Sequence, residues 1–559
     1  MTTVQSSHKE RSYELGIYLL LMGFAFVFRF LLLGSTTLTN NEAVNALQAL
    51  SLSRGENVIV GGNPGYVGLT SLLFAVMEGN DFFARFWTSL FGTGMIFVPF
   101  LYRKVLGREA ALGLSVLLVF DASMISLSRT AASSMMGITC FFTALGFFIN
   151  KRPVLASIFG GLFLTSGVEL WVGGLVFGLC LIVFRQAFKG EQIHFKDEWK
   201  KMVIPGGIVI LVVVSQFLIS PNGISGLGSS LATYLQSWKS APQIDLGHFV
   251  IETLALQLPL IFFGVVSIVR GFLRKDKRVA FLATWWGLSF IVVLINPSRS
   301  LLQLGWTSLP LIILASLLIT TFIKNLKFDN KWIGLGEFIF ALVMLAMSFF
   351  YLMNIINFPE IDPTLYRNKF IALFLPLVLL FAITGLFTWG WNTYSAKNGL
   401  LSAIILIGVI TMFSEGWKAT GWISPIEMQL WKGVQPTEGN RLLQKELSDL
   451  GRWTHGQADT IQVEVAGLTS PSIKWALRNI GQVNYPDQVN PNTVSEVLIT
   501  PIDLPIQTAA SYRGQSISWT ETPDISVMDL KAWIKWIIYR TAPVKSEKIV
   551  LWVRNDLFK

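Results

Sequence analysis

Residues 18–52 read YLLLMGFAFVFRFLLLGSTTLTNNEAVNALQALSL, an apolar run that breaks at Gly34 into a polar loop and then a differently patterned segment. The first part, Tyr18–Leu33, carries one charge, Arg29, and reads as a membrane span. The last part, Asn41–Leu52, has helical spacing. Ala43, Ala46, Leu47 and Leu50 share one face, while Asn45 and Gln48 fall opposite. That pattern predicts an amphipathic helix lying on the membrane surface.

Outward from this stretch the same apolar signal recurs. Spans are predicted near Tyr18–Leu33, Arg85–Tyr102, Ala110–Leu127, Met135–Ile149, Val154–Val168, Trp171–Phe184, Met202–Ile219, Phe249–Val269, Val279–Ile295, Thr307–Ile323, Trp332–Met353, Phe370–Trp389 and Leu400–Phe413, about 13 in all. The fifth and sixth are short and meet at Glu169, as a hairpin that need not cross fully. Lys and Arg number 21 in alternate gaps beginning at the N-terminus and 6 in the others. The excess of basic residues predicts a cytoplasmic N-terminus and an extracytoplasmic C-terminal part.

The net charge of +10 does not point to nucleic acid. Residues 436–559 hold 13 Lys and Arg against 13 Asp and Glu, so the excess lies in the turns between spans. A lipid-binding role for the cluster Arg270–Arg278 is an alternative to a topogenic one. Cys140 and Cys180 lie inside apolar runs and suggest neither a disulfide framework nor a zinc site. His8, His194, His248 and His455 show no metal-ligand spacing. The first apolar run reads as an uncleaved anchor.

The chain divides into a membrane bundle (residues 1–415), an aromatic interfacial segment (416–435, with Trp417, Trp422, Met428 and Trp431) and a small α/β domain (436–559). In the last, a helix is predicted over Thr437–Leu450, strands over Ile461–Val465, Val497–Ile499 and Ile549–Val553, and helical stretches over Ser472–Asn479 and Ser526–Tyr539. This alternation predicts a mostly parallel sheet. The domain has no phosphate loop or nucleophile elbow and reads as a cap or recognition module. Two loops on the predicted outer side, Gly34–Asp81 and Pro221–His248, are long enough to hold chemistry.

Group transfer at a membrane face needs a carboxylate as base or metal ligand and a cation for a phosphate leaving group. Glu42 opens the surface helix; it also reads as a helix-start carboxylate favoured by the dipole, with Asn40 or Asn41 as the cap. Glu169 stands in an apolar stretch between Val168 and Leu170, where a carboxylate is functional by default unless it is a solvated tip. Arg129 ends the third span, where snorkelling to the interface is the other reading. Arg299, in the short loop Asn296–Trp306, is a candidate for lipid phosphate. Asp121, Glu252 and Arg29 lie inside spans and are expected to pair within the bundle.

Several short motifs then follow in order: Asn41-Glu42-Ala43, Pro64, Leu69-Thr70-Ser71-Leu72-Leu73-Phe74, ARFWTSLFGT at 84–93, Leu106-Gly107, Ser128-Arg129 and, near the end, Val553-Arg554-Asn555-Asp556. The order resembles the GT-C superfamily of polytopic glycosyltransferases. It is most similar to the prokaryotic protein-mannosyltransferase and aminoarabinose-transferase-like group, which includes flippase-associated members. The resemblance is strongest over the first 185 residues. It implies a GT-C-like membrane all-α bundle followed by an extracytoplasmic α/β domain, a polyprenyl-phosphate sugar donor and a glycan, lipid or protein acceptor. The partners so implied are lipids and lipid-linked sugars, with no nucleic acid; a divalent metal stays open.

The sequence also departs from that family. Its first loop usually reads Asp-Glu, with the Asp as base; here the position is Asn41. A His often precedes the Pro of the next stretch; here Gly62 and Asn63 do. After Ser-Arg the family carries a second Arg and an acidic residue; here the run is Thr130-Ala131-Ala132-Ser133-Ser134. A neutral amide cannot accept a proton near pH 7. The expected roles are therefore Glu42 and Glu169 as catalytic carboxylates, and Asn41, Asn63, Arg129 and Arg299 as substrate contacts. The first reading is a membrane glycosyltransferase using a polyprenyl-phosphate donor at the outer face. The second is a catalytically silent relative that binds lipid-linked glycan or scaffolds a partner. The third, a lipid-linked glycan transporter, lacks the expected repeat of two halves.

Overall fold

The structure, a computed structural model, describes residues 2–184, 195–216, 218, 221–241, 244–358, 363–422 and 434–558. Most of the interfacial segment predicted at 416–435, including Met428 and Trp431, lies outside the described residues, as do Arg185, Lys189 and His194. Helices fill the part before residue 422, and one sheet follows residue 434.

Among the described residues seven helices are long and apolar enough to cross a membrane: Tyr13–Phe30, Leu246–Leu273, Lys277–Ile295, Leu304–Lys324, Lys331–Asn357, Arg367–Gly390 and Thr393–Ala419. An eighth forms if Arg108–Phe120 and Ala122–Ser128 are one bent span. The chain is a multi-pass membrane protein, and among the described residues seven or eight of the thirteen predicted spans are long and apolar enough to cross as single helices. The reason is local. The predicted second span divides into Asp81–Gly94, the 3-10 turn Met95–Phe97 and Val98–Leu101. The third bends by 64° at Asp121, whose carboxylate accepts the Met124 N–H at 2.8 Å and starts a new helix inside an apolar run. Ser134–Ile149, Pro153–Leu164, Leu170–Val183 and Lys201–Val214 are apolar but short. Hydropathy weighs burial in lipid and is blind to such caps.

Buried polar side chains tie the first helices together. A Cβ on Gly92 would lie 2.0 Å from Ser128 Oγ, so only glycine lets helices Asp81–Gly94 and Ala122–Ser128 come this close. Arg29, fully buried, donates from Nε to Ser128 Oγ (3.2 Å) and from Nη2 to the Leu118 carbonyl (3.1 Å). The apolar core beneath them contains Met135, Ile138, Phe142, Phe177, Trp285 and Trp306.

The C-terminal sheet has six strands, β1 (Gln435–Pro436), β2 (Gln462–Val465), β3 (Gln482–Asn484), β4 (Val497–Pro501), β5 (Tyr512–Pro523) and β6 (Val544–Arg554), in the order β1-β5-β6-β4-β2-β3. It is mixed, not mostly parallel as the alternation suggested. Only β2 pairs in parallel, with β3 and β4; β4–β6, β5–β6 and β1–β5 are antiparallel. The long strand β5 escaped prediction because 512–523 reads YRGQSISWTETP, mostly polar and with Arg513–Ser516 exposed, so its apolar alternation is weak. Leu443 and Leu447 of helix Gly439–His455 pack on Val463, Ile499 and Leu551 of the sheet.

Contacts on two sides seat this domain on the bundle. Trp475 buries its ring near Phe74 and donates from Nε1 to Asp81 Oδ1 (2.7 Å), while Arg478 Nε donates to the Gly79 carbonyl (2.9 Å). At the other side, helix Leu530–Tyr539 ends at Arg540, a non-glycine residue at φ +60°, and its guanidinium reaches Glu415 at 2.7 Å. An arginine in the left-handed region is uncommon; here it caps the helix, its N–H donating to the Trp536 carbonyl at 2.8 Å.

Candidate active site

The helix after the first span runs Asn40–Ser53 and is not a surface helix. Its Glu42, Ala43, Ala46, Ala49, Leu50 and Leu52 are buried. Its cap is Thr39 rather than Asn40 or Asn41: Thr39 Oγ1 accepts the Glu42 N–H at 3.4 Å, and Glu42 Oε2 accepts the Thr39 N–H at 3.0 Å. This reciprocal box satisfies two otherwise orphan donors. It also turns the Glu42 carboxylate inward, where Arg85 donates Nε to Oε1 and Nη2 to Oε2, both at 2.8 Å. The Ala131 N–H adds a third contact to Oε1 at 2.9 Å. Burial alone would raise this carboxyl; the Arg85 charge and hydrogen bonds, with the Ala131 and Thr39 donors, outweigh burial and bring it down to about 2. A carboxylate so occupied and so acidic is a weak proton acceptor near neutral pH.

Glu169 is built the opposite way. It is buried, not a solvated tip, in the connection between Pro153–Leu164 and a single π-helical turn, Leu170–Gly174. Ser134 Oγ donates to Oε1 and Trp306 Nε1 donates to Oε2, each at 2.8 Å. A Cβ on Gly173 would fall 2.0 Å from the Trp306 ring, so this glycine lets the indole lie close enough to reach Glu169. Both donors are neutral. Burial pushes the Glu169 carboxyl above its ordinary value, and the two hydrogen bonds offset this only in part. Of the two predicted carboxylates, Glu169 has the environment of a general base.

The structure brings most of the predicted residues to one cavity of about 1190 Å³. Asn41, Glu42, Asn63 and Glu169 all line it, together with Asn45, Arg85, Ser133 and Ser134. Val434, Gln435, Thr522 and Trp533 from the C-terminal part close the other wall. Asn63 is held in place by Ser133 Oγ, which donates to its Oδ1 (2.6 Å), and by its own donation to Asn45 Oδ1 (3.1 Å). Asn41 is exposed toward the space.

Arg129 and Arg299 are not in that lining. Arg129 does not snorkel. It is buried and donates to the carbonyls of Arg29, Leu31, Leu32 and Thr420 at 2.7 to 3.2 Å, closing the end of the first helix. Arg299 is buried and donates to the Ile244 carbonyl at 2.8 Å. Both serve loop and helix-end carbonyls, which is where a buried guanidinium goes when no anion is near. Sequence reasoning missed Arg85, Ser134 and His248 as cavity groups, and Trp306 as a donor to Glu169. Arg85 stood inside a quoted motif, but nothing local linked it to Glu42, 43 residues earlier. Among the described residues no group of three or more His, Cys, Asp or Glu is placed to hold a metal ion.

No protein-family model matches the chain, and no curated protein matches it in sequence. Solved structures do match. The crystal structure of ArnT from Cupriavidus metallidurans bound to undecaprenyl phosphate superposes with a TM-score of 0.58 at 13% identity, covering 97% of this chain and 99% of that one. Its apo form gives 0.55 at 13% identity, over 96% and 98%. The chain has the fold of ArnT. The membrane bundle followed by a small sheet domain, expected from the sequence motifs, is shared with ArnT along almost the whole chain. At this identity the likeness to ArnT is one of architecture.

Proposed function

We propose that the chain is a membrane glycosyltransferase that takes a sugar from a polyprenyl-phosphate donor at the outer face of the membrane. The observation that carries this reading is Glu169: a buried carboxyl, met only by neutral donors, facing a large cavity between the bundle and the sheet domain. In the reaction Glu169 takes the proton of an acceptor hydroxyl. The acceptor oxygen forms the new bond to the sugar's anomeric carbon as the bond from that carbon to the phosphate oxygen breaks. The electron pair leaves with the polyprenyl phosphate. One base suffices for such a displacement. Glu42 acts as a positioning residue, fixing the first-loop helix through Arg85.

In this reading the broken helix Asp81–Leu101, the bent pair Arg108–Ser128 and the four short apolar helices complete thirteen passes. The N-terminus is then cytoplasmic and the sheet domain outside, as the basic residues suggest. The fold of ArnT, which was crystallised with undecaprenyl phosphate, supports a lipid-linked donor. The test is sugar transfer from polyprenyl-phosphate donors by the purified chain and its Glu169→Gln variant; transfer by the wild type and loss in the variant carry the proposal.

A second reading, a silent relative that binds lipid-linked glycan, is favoured by one observation. Arg85 is fully committed to Glu42 and to loop carbonyls, and Arg129 and Arg299 lie off the cavity. Donor binding without turnover distinguishes it.

A further inference from the structure

A donor phosphodiester needs a cationic hydrogen-bond donor, and the cavity offers few. Among the described residues only Arg85 and His248 line it with a group able to carry positive charge. Arg85 spends Nε and Nη2 on Glu42, and its remaining contacts go to the carbonyls of Leu33, Thr36 and Thr37. That leaves His248.

His248 sits in the first turn of helix Leu246–Leu273, whose cap Asp245 accepts the Gly247 N–H at 2.9 Å. Its Nε2 lies 3.0 Å from Oε1 of Glu252, one turn along the helix. Glu252 is fully buried, and neither of its oxygens has an aligned hydrogen-bond donor. A carboxylate taken from water in this way is costly unless a cation stands beside it. Two side chains able to carry positive charge act on it, His248 and Arg540, and of the two only His248 lines the cavity. Trp533 of the sheet domain packs its ring against the imidazole at 6.2 Å. Behind Trp533, Arg540 is bound to Glu415 and is not on the cavity wall. The other ionisable groups around the space are Asp245 on the same wall, Glu169 opposite, and the mutually paired Glu42 and Arg85. With Nε2 beside Glu252, an imidazole has a second ring nitrogen that is able to donate to a ligand in the cavity it lines.

We propose that His248, on the cavity wall beside Glu252, binds the phosphate oxyanion of the polyprenyl carrier and makes donor binding depend on pH; this rests on the transferase reading above. Because imidazole is the side chain that loses its charge across the physiological range, binding weakens as pH rises.

The experiment uses the full chain in lipid nanodiscs and, as probe, a methyl phosphodiester of undecaprenol, whose single charge stays constant over the range. The wild type is expected to bind at least about tenfold more tightly near pH 5.5 than near pH 8.5, following imidazole titration. His248→Gln is expected to bind about tenfold more weakly at the lower pH and to lose the pH dependence. His248→Lys, a cation across the whole range, restores binding without pH dependence. Equal wild-type binding at both pH values, or unchanged binding by His248→Gln, overturns the assignment while leaving the transferase reading in place. Equal potency of inorganic sulfate and the lipid probe overturns it too, by assigning the site to free anions. No binding of the probe by wild type at either pH overturns both.

Discussion

Arg85 and Glu42 meet through two parallel hydrogen bonds of 2.8 Å, each from a different guanidinium nitrogen to a different carboxylate oxygen, with both side chains about 5% exposed. This fork-to-fork geometry joins helix Asp81–Gly94 to the first-loop helix Asn40–Ser53. It also removes Glu42 from the list of ready bases. Glu42→Gln keeps the shape but leaves the Arg85 charge buried and unpaired. Breaking one partner of such a pair costs about 3 to 5 kcal/mol, whereas replacing both is far milder. Thermal unfolding should show a large drop for Glu42→Gln and a partial recovery for Glu42→Gln combined with Arg85→Met. A stable single variant would mean that the pair does not hold the loop.

The same pair sets a pH dependence of stability. Glu42 is lowered from 4.5 to about 2 in the folded chain, against burial, chiefly by Arg85. A lowered carboxyl stabilises the fold above its unfolded value and loses that contribution as pH falls through the folded one. The stability gap between wild type and Glu42→Gln should therefore be full at neutral pH and shrink between about 4.5 and about 2. Denaturation profiles of both proteins across that window check it.

Glu169→Gln should leave folding nearly intact, because a glutamine side chain still accepts from Trp306 Nε1 and can donate to Ser134 Oγ. Transfer should fall by about 10² to 10⁴, the usual cost of losing a general base. The wild-type rate should rise with pH through a point above the ordinary carboxylate range, since burial raises this group. Full turnover by the variant would move the base elsewhere.

What the sequence made legible follows from distance along the chain. Glu42 and Glu169 stood out as charges in apolar surroundings, and both line the cavity. Their opposite states did not, because these are set by residues far away: Arg85 and Ala131 for Glu42, Ser134 and Trp306 for Glu169. Arg129 and Arg299 were read as phosphate ligands because an isolated cation in a loop has no visible partner. Their partners are backbone carbonyls, which no side-chain pattern encodes. The bundle was legible by hydropathy, whereas the kink at Asp121 and the polar strand β5 depend on capping and on pairing with β6.

Orientation rests on the basic residues of the turns, and Lys275 lies in the richest cluster, Arg270–Arg278. In intact cells, Lys275→Cys should resist an impermeant thiol reagent, while a cysteine at exposed Val527 of the sheet domain should react. The reverse pattern would turn the cavity to the cytoplasm and remove the outer-leaflet donor.

Asn41 is exposed to the cavity on the same helix as Glu42, and Glu169 lines the same space. As an amide it can orient a hydroxyl but cannot take its proton. Asn41→Asp places a carboxylate there without touching the Arg85 pair, since Asn41 makes none of the Glu42 contacts. Transfer from a polyprenyl-phosphate donor should rise if proton removal limits the rate, by up to about tenfold when a second acceptor shares the task with Glu169. The measurement is initial rate against pH for wild type, Asn41→Asp and Asn41→Asp with Glu169→Gln. If the exchanged carboxylate acts as a base, the doubly substituted chain regains part of the activity that Glu169→Gln loses. If the rate of the single variant is unchanged and wild type binds donor without turnover, the cavity is a binding site, and the silent-relative reading replaces the enzyme.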